Sequence, residues 1–346
     1  MVNDERASGR VSAVDAVTGS LGCGWDRMLH LLFRGPHASL ANWIWWGLIL
    51  LLAGVGVSGP SVHDGVGWRE RLPPDTPGVG GVHAGLIALV VVAALLALAL
   101  ILLLVWLQAR FRCVMLEGVR TGVPAIRGVF GRTAQVGDAY FLFRIGVGAA
   151  ALALLSPVAI GWGIAAWRLG GQRVEPGAAL VVPLAATVLW VLLVGLAAAI
   201  VSWWAYDLAL PVAWFGGVSF GEGLARAWAL TRAQIGAVLL LLVFRILVGI
   251  ASVLVMLVGI CCVAVWFWIV PLLLAVGLAM ATVAVPPLAI VTVPLIVALA
   301  VLIGWIASTV TAPIPLLVRC WSACLVGRLD PTIEPWPGAP GERAPV

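Results

Sequence analysis

The chain is built from long apolar blocks separated by short polar ones. Ala84 to Leu107 is a run of 24 residues without a charge, and no Asp, Glu, Lys or Arg occurs from Ile246 to Val318. A helix crosses the hydrocarbon layer with about 20 apolar residues, so blocks of this length predict membrane-spanning helices. The strands of an outer-membrane barrel would alternate apolar and polar positions over about ten residues, a pattern these blocks lack. The blocks place crossings at Leu40 to Gly59, Ala84 to Leu107, Leu142 to Trp167, Ala178 to Trp204 and Ala237 to about Val263. Beyond them, Pro271, Pro286, Pro287, Pro294, Pro313 and Pro315 punctuate an uncharged stretch that has room for one crossing plus a re-entrant piece, or for two crossings. The expected fold is an all-α integral membrane protein with about six transmembrane helices, six to seven. It divides into a cytoplasmic N-terminal segment, residues 1–39, a transmembrane domain, residues 40–318, and a cytoplasmic tail, residues 319–346.

An internal repeat runs through these blocks. Gly118 to Gly148 ends in "FLFRIGVG" and Gly217 to Gly249 ends in "LLVFRILVG", which puts Arg144 and Arg245 in matching positions 101 residues apart. Cys23 to Gly47 is a weaker third copy. Each copy reads as an arm followed by a crossing, with arms near Trp25, Pro124 and Phe220. "VRCWSACLVGR" after the last crossing also echoes "FRCVMLEGVR" after the second.

Two arms have the periodicity of helices lying at a membrane surface. In the first, Trp25, Met28, Leu29, Leu32 and Phe33 share one face and Arg27, His30 and Arg34 lie opposite. In the third, Ser219 and Glu222 have capping-box spacing, Leu224, Trp228, Thr231 and Ile235 form an apolar stripe, and Glu222 and Arg226 are i, i+4 partners. Arg counts set the orientation. Counted on the two sides of the first four crossings, with the N-terminus inside, eleven Arg are cytoplasmic (residues 6, 10, 27, 34, 110, 112, 120, 127, 132, 226 and 232) and four outside (69, 71, 168 and 173). The positive-inside rule therefore predicts a cytoplasmic N-terminus.

Composition narrows the chemistry. The chain is 63% hydrophobic and 10% charged, and all twenty basic residues are Arg. Without Lys there is neither Schiff-base chemistry nor a phosphate-loop lysine. The six cysteines, Cys23, Cys113, Cys261, Cys262, Cys320 and Cys324, form no CxxC pair or zinc-type spacing and read as small buried residues. His63, Asp64, Glu70 and His83 share the first external loop, but their spacing matches no ligand pattern.

"FGEGLARAWALTRAQIGAVLLLLVFRILVG" from Phe220, the vicinal Cys261 and Cys262, and "PLLVRCWSACLVGRLDP" from Pro315 carry a resemblance to a family of bacterial membrane proteins. That family is related to the membrane domain found ahead of some glycerophosphodiester phosphodiesterases. The resemblance is to uncharacterised members, implies a six-helix fold in a bacterial inner (cytoplasmic) membrane, and supplies no established activity.

No catalytic, metal or cofactor site is assigned, and no nucleic-acid partner is expected. The candidate functional residues are Arg144 and Arg245, charges set within apolar runs, with Asp138 and Asp207 as their carboxylate partners. They read either as ligands for an anion or lipid phosphate, or as side chains snorkelling to the headgroups. The function expected is a non-enzymatic membrane scaffold or accessory protein that meets the lipid bilayer and an anionic lipid or membrane-protein partner. The alternative is a transporter of a lipid or small anionic solute.

Overall fold

A computed structural model describes residues 13–54, 80–169, 178–259 and 289–336, and these are helices joined by turns with no strand among them. Helix α1 (Ala13–Leu29) runs into a π-helical turn, His30–Arg34, and then α2 (Leu40–Leu52). A single 42-residue helix, α3 (Gly80–Thr121), precedes α4 (Val129–Arg132), α5 (Ala134–Leu169) and α6 (Ala178–Trp204). A second π turn, Ala205–Ala209, leads to α7 (Leu210–Phe215), α8 (Phe220–Ala233), α9 (Ile235–Gly259), α10 (Ala289–Thr311) and α11 (Pro313–Leu329).

Among the described residues, three stretches are long and apolar enough to cross a membrane: Ala88–Thr121, Ala134–Ile164 and Pro183–Phe215. The number rises to five if each of two bent helix pairs is one span. At 1.5 Å per residue α3 is roughly 63 Å long, about twice the hydrocarbon thickness. Its two halves accordingly differ. Leu89, Val90, Leu95, Leu96 and Leu100 through Leu104 are exposed, whereas from Ala109 to Val119 nearly every residue is buried. The other long helices repeat the division: on α6 Leu184 to Val201 is mostly exposed while Ala205 to Val212, in the π turn and α7 that continue it, is buried, and α9 buries Ala237, Val238 and Leu241 and is mostly exposed from Val243 to Ala251. Apolar surface on this scale is stable against lipid, not against water. The core therefore sits at one end of the helices.

The boundaries differ from the sequence pattern where a tertiary partner intervenes. The expected crossing from Leu40 ends as a 13-residue helix at Leu52, followed by Gly54 at φ 68°, and 13 residues are too few to span alone. The segment from Gln108 to Tyr140, which lies between two expected crossings, is helical to Thr121, because Arg110 and Arg112 find partners on neighbouring helices. The uncharged run to Val318 breaks at Ala312: Pro313 opens α11, which bends 57° from α10 and is buried from Leu316 through Val326 save for a half-buried Leu317. The division drawn between 318 and 319 thus falls inside a core helix. The middle arm contributes only the short α4. Residues 260–288, which include Cys261, Cys262, Pro271, Pro286 and Pro287, lie outside the described residues.

Three closing segments meet in the core: the last third of α3, the π turn with α7, and α11, which touch pairwise. Around them the arms pack in rotation. The α4–α5 start lies on α3, α8 lies on α7, and α1 lies on α11, which joins the first and last described helices into a ring. Close backbone approach makes these contacts. A methyl on Gly24 of α1 would come within 2.6 Å of the Trp321 Cα on α11, and one on Gly223 of α8 within 2.6 Å of the Ala213 Cβ on α7. A disulfide, Cys23–Cys324, spans the α1–α11 contact across 301 residues of sequence. This corrects the reading of all six cysteines as unpaired small residues; spacing along the chain carries no sign of so distant a partner. Cys113 and Cys320 are free, buried thiols.

Candidate functional site

The three closing segments are built alike. Gly122, ten residues after Arg112, and Gly217, ten after Asp207, both take positive φ, 83° and 63°, and end their segments; Leu329, ten after Arg319, is the last residue of α11. Sequence shows the same correspondence in Phe111-Arg112-Cys113, Tyr206-Asp207-Leu208 and Val318-Arg319-Cys320. The echo between the first and last of these was legible; the middle copy hides because an acid replaces the base.

That exchange is what makes the centre chemically workable. Asp207, 2% exposed, forms an ion pair of 2.6 Å with Arg319, which is fully buried. Arg319 Nη1 also donates to the Tyr206 carbonyl at 3.2 Å, and its guanidinium lies 3.3 Å from the Tyr206 ring centroid. Arg112 lies over the same ring at 4.1 Å, donates to the Tyr140 hydroxyl at 2.6 Å and to the Ala53 carbonyl at 3.2 Å. The Ser322 hydroxyl donates to the Asp207 carbonyl. A third Arg at the Asp207 position would leave three buried cations without a counter-charge, a cost of several kcal/mol per ion.

Arg144 and Arg245 occupy equivalent places, each the eleventh residue of its helix, α5 and α9, and each helix starts one residue after its arm ends. Both reach the central cluster. Arg245 Nε is 3.5 Å from Asp207. Arg144 Nη1 donates to the Gln108 amide oxygen at 3.3 Å and lies in electrostatic reach of Arg112, Tyr140 and Tyr206. Asp138 is not the partner of Arg144. It takes two bonds from Arg110, 2.9 and 2.8 Å, and one from Trp106 at 2.9 Å. Asp138 and Arg144 are six residues apart, about 1.7 turns, and so leave α5 on different faces, and apolar periodicity does not say which helix each face meets.

The arms differ from their sequence faces as well. On α1 Met28, Leu31 and Leu32 are buried while Trp25 and Phe33 are exposed, since the π turn shifts the phase of the last residues. Arg27 turns inward to donate to the Val119 and Arg120 carbonyls at 2.7 to 3.1 Å, which caps the end of α3, and burial lowers its pKa. On α8 Phe220, Gly223 and Ala227 face the core, and Trp228 and Ile235 of the expected stripe face outward. Glu222 accepts from the Ser219 amide in a complete capping box, and its ion pair with Arg226 does not form.

A separate cavity of about 280 Å³ lies beside buried Glu117, with Arg120, Arg132, Gln135, Trp214 and Ser219 in its wall. Gly217-Val218-Ser219-Phe220-Gly221 has the spacing of a hydrolase nucleophile elbow, but Ser219 is a helix cap that receives the Glu222 amide, with no strand before it. The described residues hold no group of three or more His, Cys, Asp or Glu near enough for a metal. His63, Asp64, Glu70 and the His83 side chain lie outside the described part.

Fold and cluster together define an all-α protein with helices of membrane-spanning length and an arginine-rich, tyrosine-stacked centre. The chain belongs to a family of unknown function, DUF7544, whose pattern matches residues 12–335. No curated protein and no solved structure matches it. Membership in an uncharacterised family agrees with the sequence reading, while no relation to glycerophosphodiester phosphodiesterases is found.

Proposed function

We propose that this chain is a multi-pass protein of a bacterial cytoplasmic membrane, N-terminus inside, that acts as a non-enzymatic scaffold or accessory protein. The observation that carries this reading is the ring of arms and closing segments gathered at one end of exposed apolar helices. Its outer rim offers apolar Trp25, Phe33, Trp228 and Ile235 beside Arg34, Arg226 and Arg232, the chemistry of an inner-leaflet surface. Three arm-plus-hairpin units give six crossings. The rival transporter reading calls for a polar path at mid-membrane, and the cavity at Glu117 is lined by neither Arg144 nor Arg245.

The Arg distribution and the Cys23–Cys324 pair pull orientation in opposite directions, since a cytoplasm keeps thiols reduced. Eleven Arg against four is the heavier argument, so the pair is expected as two thiols in the cell that close on oxidation. Labelling of cysteines placed at Asp75 and Arg226 tests this: the first should react in intact cells, the second only after permeabilisation. The reverse pattern, or a Cys23–Cys324 bond trapped in intact cells, would invert the orientation. In proteoliposomes the protein should move neither a labelled phospholipid nor phosphate; Arg144-dependent flux would replace the scaffold with a transporter.

A further inference from the structure

We infer that the arginine cluster around Asp207 is a phosphate-binding site, served by a phospholipid headgroup or by free phosphate. Arg112, Arg144, Arg245 and Arg319 converge with Asp207 as the one carboxylate among the described residues shown to meet them, so there four positive charges face one negative charge. Asp207 is committed to Arg319 and Arg245, and Arg112 to Ala53 and Tyr140. What remains is donor capacity. Nε and Nη2 of Arg319 and the hydroxyl of Tyr206 are buried without a hydrogen-bond partner among the described residues, as is one acceptor, Asp207 Oδ1, which the 2.6 Å ion pair to Arg319 alone engages, and half-buried Arg144 has the neutral Gln108 amide at 3.3 Å and a like charge, Arg112, nearby.

Buried guanidinium donors are ordinarily satisfied, and the surplus charge asks for an anion. Planar guanidinium forks suit tetrahedral phosphate, which accepts from several of them at once. The approach is lateral. Leu142 and Ile145 flank Arg144, and Ile246 and Leu247 flank Arg245, and all four are exposed on the apolar sides of α5 and α9. A phosphate at the depth of these two arginines therefore has acyl-chain surface on either side. The site does not depend on the scaffold role, since a purely structural lipid would occupy it equally.

The test uses the full chain purified in neutral detergent, its thermal stability followed against short-chain phosphatidylglycerol, inorganic phosphate or diacylglycerol. We expect saturable stabilisation by phosphatidylglycerol, by phosphate, or by both, and none by diacylglycerol. Stabilisation by phosphatidylglycerol alone assigns the headgroup; an equal effect of phosphate assigns the free ion. The midpoint should weaken about tenfold in Arg144→Gln and in Arg245→Gln, roughly the worth of one charge-assisted bond, and stay unchanged in Arg226→Gln on the exposed arm. Arg144→Lys, which keeps the charge and loses the fork, should fall between. No saturable effect of either phosphate compound on the unsubstituted chain overturns the site, whatever the variants do. An equal loss in Arg226→Gln overturns it too, as a general surface-charge effect.

Discussion

Asp207→Asn offers the sharpest probe of how the centre is held. The substitution keeps shape and removes the charge that Arg319 and Arg245 share, 2.6 and 3.5 Å away. Arg319 is fully buried and takes the full penalty of a stranded cation, about 3–5 kcal/mol for breaking a buried pair from one side. Arg245 has a side chain 29% exposed and recruits water or headgroups, so its share is about 0–1 kcal/mol. The expected loss is therefore about 3–5 kcal/mol. Removing both charges in Asp207→Asn with Arg319→Met strands no fully buried cation, since Arg245 is part-exposed, and should recover more than half of it. Reversible unfolding of the four proteins in one detergent closes the double-mutant cycle. A coupling under about 0.5 kcal/mol would mean that the two side chains do not sense each other, and the argument for a charge-matched centre would fail.

Arg245→Leu should cost about 1–2 kcal/mol in lipid-free detergent, because it takes a partner from Asp207; Arg144→Leu should be close to neutral there, its lost bond to Gln108 offset by relief from Arg112, and thermal unfolding that reverses this order refutes the assignment. In the oxidised protein, Cys23→Ser should lower stability by about 2–4 kcal/mol and speed amide exchange first in α1, whereas exchange that rises first in α5 would place the ring closure elsewhere. Gly24→Val should cost about 1–3 kcal/mol by forcing α1 from Trp321, while Gly22→Ala, with open space around it, should be neutral or gain about 0.5–1 kcal/mol; equal effects in a denaturation series would contradict the close approach.

Sequence alone determined what depends on neighbours a few residues away. The apolar block Ala178–Trp204 is a helix over those same residues, and Ser219 and Glu222 form the capping box their spacing predicts. The 101-residue repeat anticipated that Arg144 and Arg245 sit at the same helical position. Tertiary structure decided everything that required two distant segments. Arg110 and Arg112 looked like loop charges because a lone charge ends an apolar run; they continue α3 because Asp138, Tyr140 and Ala53 meet them. Leu316 to Val326 straddled the boundary expected between the last crossing and the cytoplasmic tail and is core, in a helix that Pro313 opens at 57° to α10. The pairing of Asp207 with Arg319 and of Cys23 with Cys324, 112 and 301 residues apart, follows from ring closure. Periodicity reports which face of one helix is apolar. Which other helix covers that face, and what charge waits there, is settled by packing.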